Sequence, residues 1–341
     1  DRALITTELM DLCDSHSIET LIVKYKPDYF INTAANAFVG ESWQVPVQHF
    51  EFNSLGVLHQ LEAIRKYSPR TRYFNMGTSE EFGATKKSFL NEDSLLAPRS
   101  PYGASKCAAR YIVRVWRESY GLYAIQGWTF NFESEIRGEK YLTRKVTKGV
   151  ARIARAIADG KPFEPIELGN LDSFRSWQFV GDVADGIWRM LNQEEYHLDF
   201  PFDDYVTQIC QSQYLSKHIK EYVLSAPDVN TVRYFVQKSF AAAGIIEIQS
   251  KQGPQGNQQV QTRWNGSDEQ EVYELGGMHT CVSESGWDSS WGYWKPLVRI
   301  NPKFYRPADV TYLHGDASAI QHDLGWAPKV SFDQLVERMV K

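Results

Sequence analysis

The stretch SPYGASKCAARYIV, Ser100–Val113, sets Tyr102 and Lys106 four residues apart, directly after a proline. Pro101 suits the first position of a helix, because its missing N–H would have no partner there, and Ser100 suits the cap before it. Spacing four on a helix brings both side chains to one face. A lysine ammonium so placed lowers a tyrosine from its usual value of about 10 toward neutrality. Such a phenol can exchange a proton with an alcohol. The spacing alone is a weak signal: Tyr141 and Lys145 repeat it, and the ordinary reading of either pair is two polar side chains on a helix face.

The flanks separate the two pairs. RTRYFNMGT, Arg70–Thr78, reads as a strand, and Thr78-Ser79-Glu80 follows at its C-terminal edge. In an open α/β sheet that edge borders the ligand crevice. No such triplet precedes Tyr141. The ordinary role for Thr78 and Glu80 is a helix cap.

Further out, the first two-thirds of the chain alternates short apolar runs with amphipathic ones, the pattern of βαβ units around a parallel sheet. SHSIETLIVKYK from Ser15 reads as a serine-capped helix ended by Pro27. DYFINTAA from Asp28 reads as a buried strand, Val47–Tyr67 as a long helix, Gly83–Pro98 as a polar loop, and Tyr123–Phe132 as a further strand. Beyond these, Val146–Ala158 and Asp182–Leu191 read as helices and Glu195–Ile219 as irregular. VNTVRYFVQKSFAAAGI reads as a helix capped by Asn230 and closed by Gly244. Lys251–Asn265 is a Gln/Gly-rich connection, and a last helix is expected to begin near Ser331, where SFDQ resembles a capping box.

RALIT, Arg2–Thr6, looks like a first strand, yet it runs straight into TELMDLCD, which looks like a later one. A dinucleotide-binding sheet ordinarily follows its first strand with a Gly-rich turn that seats the diphosphate on a helix N-terminus, and none appears near the start. Missing residues are expected at that junction, because a parallel sheet without its central strand exposes apolar surface.

The totals set limits. The 341 residues carry 43% hydrophobic and 23% charged side chains with net charge -5, enough apolar content for a real core. No basic run suggests nucleic-acid binding, and no apolar run is long enough for a membrane span. There is no signal-peptide pattern at the start. Cys13, Cys107, Cys210 and Cys281 are widely spaced, which suits reduced thiols in a cytoplasmic setting. Cys13 and His16 have a metal-like gap without a second pair, so no metal site is expected.

Strand, Thr-Ser-Glu triplet, then Tyr-x-x-x-Lys resembles the extended short-chain dehydrogenase/reductase superfamily. Within it, PRSPYGASK, RESYGLYA, FNFESEIRGE, TRK, LGNLDSFRSW, FYRPADV, HGDASAIQHDLGWAPKVSF and the early MDLCD closely resemble motifs of the GDP-mannose 4,6-dehydratase family. The match runs from about Met10 to the end, outside apparent insertions at about 195–217 and 275–294.

This resemblance implies an α/β fold: a doubly wound, Rossmann-like parallel sheet with a smaller C-terminal α/β substrate domain. Residues 1–134, with 174–192 and about 219–227, would form the NADP-binding part; 135–173 and 228–341 would form the nucleotide-sugar part. It implies dehydration of GDP-mannose by internal hydride transfer, with Thr78, Glu80, Tyr102 and Lys106 catalytic. Asp11, Leu12, Ala34, Ala35, Phe132 and Arg137, with Tyr102 and Lys106, would meet the cofactor, NADP rather than NAD. Ser79, Asn131, Lys145, Asn170, Arg175, Arg306 and Asp309 would meet the substrate. Arginine suits a diphosphate because its planar fork grips two oxygens at once. A homodimer or homotetramer is implied as well.

Several positions depart from the family's pattern. Its FNHESPRRG reads FNFESEIRG here, so Phe132 and Glu135 replace a histidine and a proline. Its AAQSHV reads AANAFV, Ala34–Val39, and its RDW reads Arg175-Ser176-Trp177. These swaps bear on which hexose fits more than on the reaction class. Trp287, Trp291 and Trp294 suggest a lid, a subunit contact or a plain surface hairpin. Two other readings stand beside dehydration: an epimerase or reductase of the same fold, against which Glu80 argues, and a catalytically silent cofactor-binding regulator.

Overall fold

The structure, a computed structural model, describes residues 4–84, 89–193, 205–245, 260–267, 271–277, 294–305, 308 and 310–341. The chain divides into two compact units. The first comprises Asp1–Phe130, Gly181–Pro227 and Leu313–Ala327; the second comprises Asn131–Val180, Asp228–Tyr312 and Pro328–Lys341. Leu313–Ala327 thus falls in the first unit, where the sequence reading had grouped it with 228–341.

The first unit is built on a parallel sheet. Helix α1 (Ser15–Tyr25) leads to β1 (Tyr29–Asn32), and α2 (Pro46–Phe50) runs through a π turn, Glu51–Leu55, into α3 (Gly56–Tyr67). Strand β2 (Arg72–Met76), helix α4 (Pro101–Tyr120) and β3 (Ala124–Thr129) follow. Neighbours run β1-β2-β3 and then Val223–Leu224, all parallel, with Ile31 opposite Phe74 and Phe74 opposite Ile125. Ile18 and Ile22 of α1, Leu61 and Ile64 of α3, Tyr73 of β2 and Val113 of α4 share one core. Each fully buried aliphatic side chain there contributes about 1.5–3 kcal/mol.

Local chemistry sets the helix ends. The cap of α1 is Asp14, whose carboxylate accepts from His16 N at 3.0 Å, in place of the expected Ser15. Ser100 caps α4 as expected, accepting from Gly103 N at 3.0 Å. The expected single helix Val47–Tyr67 is broken by the π turn, which carries buried Asn53 and Ser54.

The start of the chain departs from expectation. Leu4–Met10 forms no strand, and Leu4, Ile5 and Leu9 are exposed. Arg2 and Ala3 lie outside the described residues. Strand β1 is an edge of the described sheet, so Tyr29 and Ile31 are exposed where a buried strand was expected. With no neighbour on that side, its outer backbone groups turn to water.

In the second unit, Asn131–Glu133 pairs in parallel with Trp177–Phe179. The expected strand Tyr123–Phe132 is thus two, parted at Phe130. A four-stranded sheet orders Val260–Asn265, Val272–Gly277, Trp294–Ile300 and Ile166–Leu168. Helices Leu142–Ala158, Val232–Ala242 and Phe332–Val340 cover its core around Phe235, Phe240, Trp177 and Leu335. Thr231, rather than Asn230, caps Val232–Ala242, accepting from Tyr234 N at 3.0 Å. Ser331 and Gln334 form the capping box read from SFDQ.

Two segments read as irregular contain regular structure: Tyr205–His218 is a helix and Val260–Asn265 a strand. Straight-chain glutamines, leucine and lysine supply helix propensity at the first. At the second, pairing with Val272–Gly277 overrides the Gln/Gly-rich context. Trp287 and Trp291 lie outside the described residues, and Trp294 opens a strand.

Candidate functional site

Strand β2 ends at Met76 and the chain turns sharply. A Cβ at Gly77 would stand 2.3 Å from the Gly127 carbonyl oxygen, so only glycine lets the β2 terminus lie this close to β3. Thr78 then caps a 3-10 turn, Ser79–Glu81: its side chain accepts from the turn backbone, and the Glu81 carboxylate accepts from Thr78 N at 2.8 Å. The reciprocal capping carboxylate is therefore Glu81, not Glu80.

Helix α4 begins against this turn. A Cβ at Gly103 would stand 2.7 Å from the Glu80 carbonyl oxygen, so the helix N-terminus packs backbone to backbone on the triplet. Tyr102 is 8% exposed and meets the His49 ring edge-on at 6.3 Å. One turn on, Lys106 is 2% exposed and donates from Nζ to the Met76 carbonyl at 2.9 Å. Burial pushes the Lys106 ammonium down to about 8, with the Glu81 charge opposing. Thr78, Ser79, Glu80, Tyr102 and Lys106 thus gather where the end of β2 meets the start of α4.

The remaining sequence-derived positions of this unit lie on loops. Asp11 Oδ1 accepts from Cys13 N at 2.9 Å, forming a local turn. Leu12 is buried beside Gly56, where a Cβ would stand 3.1 Å from Leu12 Cβ. Exposed Ala34 and half-buried Ala35 follow β1, and Ala34 N donates to Asn32 Oδ1 at 3.2 Å.

In the second unit, Arg137 stands 3.8 Å over the Tyr141 ring, 5.8 Å from that of Phe132, and 3.3 Å from buried Glu133 Oε2. Burial pushes Glu133 up to about 7, against the pull of Arg137 and Thr143. Asn131 Oδ1 is buried with no hydrogen-bond partner. Lys145 donates to the Glu167 carbonyl and lies 3.6 Å over Phe304, so the second Tyr/Lys pair is engaged quite differently from the first. Arg175 is buried and donates to the Phe174 carbonyl at 2.8 Å. Asn170 Oδ1 accepts from Asp172 N at 2.9 Å. Arg306 and Asp309 lie outside the described residues.

Sequence reasoning missed the polar residues behind the first cluster. Asn53, in the π turn, donates to Ser105 Oγ at 3.0 Å and the Asn36 carbonyl at 3.1 Å, and accepts from Asn36 N at 2.9 Å. It ties the loop after β1 to the helix turn between Tyr102 and Lys106. A buried amide ladder crosses the sheet in register: Asn32 donates to Asn75 at 2.8 Å, Asn75 to Gln126 at 2.5 Å, and Gln126 to the Lys106 carbonyl at 3.0 Å. The available signal was an amide at matching places in three consecutive strands.

The family model of GDP-mannose 4,6 dehydratase matches residues 2–200 and 198–339. GDP-mannose 4,6 dehydratase 2 of Arabidopsis thaliana is 32% identical over 344 residues, covering 100% of this chain and 72% of that protein. The GDP-mannose 4,6 dehydratase of Drosophila melanogaster is 33% identical over 333 residues, covering 97% and 70%. Among solved structures, RMD from Pseudomonas aeruginosa complexed with NADPH superposes with TM-score 0.69 at 16% identity, covering 99% of this chain and 88% of that one. A dTDP-glucose 4,6-dehydratase from Bacillus anthracis in complex with NAD gives 0.63 at 16%, covering 97% and 76%. These two likenesses establish the Rossmann-like α/β fold. Among the described residues, no helix is long and apolar enough to cross a membrane.

Proposed function

This chain belongs to the GDP-mannose 4,6-dehydratase family, and from that membership we propose that it is a nucleotide-sugar 4,6-dehydratase, a hydro-lyase that converts GDP-mannose to GDP-4-keto-6-deoxymannose. The observation that carries the reading is the meeting of the Thr78–Glu80 turn with the Tyr102–Lys106 helix face.

The cofactor is a nicotinamide dinucleotide, NADP in the finer assignment. The donor set suits its nicotinamide ribose: one Lys106 donor goes to Met76, and the ammonium has two more for hydroxyls. Asp11, Leu12, Ala34, Ala35, Phe132 and Arg137 complete its contacts. The sequence holds no Gly-rich turn of the dinucleotide type. Bound there, a nicotinamide would supply the hydride exchange that links C4 and C6 of the hexose.

Tyr102, with the Lys106 ammonium one helical turn on, takes the proton of the sugar 4-hydroxyl. The resulting ketone acidifies the neighbouring C5–H, and Glu80 removes that proton. The 6-hydroxyl departs as water, taking the proton Glu80 has gained, with Thr78 and Ser79 beside it, and C5 regains a proton from solvent as Tyr102 gives its own back. Asn131, Lys145, Asn170, Arg175, Arg306 and Asp309 bind the nucleotide diphosphate and sugar; the buried, partnerless Oδ1 of Asn131 supports a ligand donor there. Exposed Val47, Phe50, Leu55, Tyr111 and Val115 on packed helices support a homo-oligomer.

The test is incubation with GDP-mannose and catalytic NADP+, read by mass. The expected product is lighter by one water. Unchanged mass with altered stereochemistry replaces the reading with an epimerase. Inertness toward every nucleotide sugar replaces it with a cofactor-binding regulator.

A further inference from the structure

Directly behind the reacting set lies a buried run of alternating charges. Glu81, fully buried, accepts from Arg110 Nε at 2.5 Å, Thr78 N at 2.8 Å and Gln126 Nε2 at 3.2 Å. Arg110 Nη1 donates to Glu221 at 2.7 Å and to the Gln126 carbonyl at 2.7 Å, and its guanidinium lies 3.5 Å over the Trp128 ring. Glu221 also accepts from Arg117 at 3.0 Å. Burying such pairs costs solvation that apolar residues of similar size would avoid. Their stability value is therefore a poor account of them. Their position is a better one: Glu81 directly follows the candidate base Glu80, and Arg110 stands one helical turn beyond Lys106.

We propose that Glu81 and Arg110 are positioning residues that clamp the Thr78–Glu80 turn to α4 and supply the negative charge Lys106 faces. The proposal deepens the dehydratase reading and rests on it. Two glutamates and two arginines balance within the run, so Lys106 is one further cation beside it. The titratable and charged groups around the Tyr102–Lys106 pair are Glu80 and Glu81 on the turn, Cys107 and Arg110 on α4, and His49 on α2. Of these, Glu81 is the one whose charge raises Lys106, against the burial that lowers it. In its ionised form, which Arg110 and Thr78 N favour against burial, Glu81 therefore keeps the lysine an ammonium to higher pH.

The test is Glu81→Gln, which keeps an acceptor for Thr78 N and removes the charge. The Lys106 side-chain nitrogen is followed by NMR in 15N-lysine protein and assigned with Lys106→Arg. Its titration is expected to fall by about one pH unit or more. The alkaline limb of kcat should move down with it, at nearly constant KM. An unmoved Lys106 titration in Glu81→Gln overturns the proposal. Should charge removal perturb folding, Glu81→Asp answers the same question: it keeps the charge on a shorter side chain, so the Lys106 titration is expected to stay near the parent's. A folded Glu81→Asp variant whose Lys106 titration falls by about a full pH unit also overturns it. If the parent turns over no nucleotide sugar, the dehydratase reading fails separately, while the lysine titration still decides this one.

Discussion

The Lys106 ammonium donates to the Met76 carbonyl across 2.9 Å, fastening the helix of the candidate dyad to the end of strand β2. Lys106 is lowered to about 8 by burial, whereas an unfolded lysine titrates near 10.4. Between those values the unfolded chain binds more protons than the folded one, so this group makes stability rise with pH there. Below about pH 8 it is a buried cation and a cost. Lys106→Met should therefore melt no lower than the parent at pH 7, while turnover falls on the order of a thousandfold. Thermal melts and kcat on the same samples check both halves.

Glu80→Gln should leave cofactor binding within about twofold of the parent, because the amide keeps the size of the side chain while removing its basicity. Exchange of the sugar C5 proton with solvent should stop. Normal exchange in deuterated water would remove Glu80 from the base role.

Asn53→Ala strips two donated bonds and one accepted bond at the π turn, leaving Ser105 Oγ and the Asn36 backbone short of partners. Each buried group so orphaned costs about 1–3 kcal/mol. Stability should drop by about 2–4 kcal/mol in urea unfolding. KM for the cofactor should rise more than kcat falls, since the loop after β1 loses its tie to α4. Equal loss of both would assign Asn53 to the chemistry instead.

The parallel sheet and the helix of the Tyr/Lys pair were legible because periodicity and caps are local: Pro101 with Ser100, or Ser331 with Gln334, encode their ends within four residues. The triplet was legible as a composite, a strand end followed by a helix start. What stayed hidden depends on tertiary pairing. Nothing in the sequence marks out Glu81 or Arg110, and only the fold reveals that both are buried against one another. The π turn at Asn53 has no sequence period of its own. The exposure of Ile31 follows from which strand neighbours β1, something its own composition cannot show.

Glu133 carries the last prediction. Burial raises it to about 7 from an ordinary 4.5, with Thr143 donating at 2.7 Å and Arg137 alongside opposing the shift. A raised carboxyl binds its proton more tightly in the folded state. Its contribution to stability is full below about 4.5 and is lost as pH climbs through about 7. The parent should therefore lose melting temperature between pH 5 and pH 8, by about 2–3 °C if about 1–2 kcal/mol is at stake. Glu133→Gln, which keeps the carbonyl acceptor for Thr143 without a titrating proton, should flatten that fall. A parallel pair of melting curves for parent and variant across this range would show instead that Glu133 is ionised throughout, held by Arg137 strongly enough to outweigh its burial.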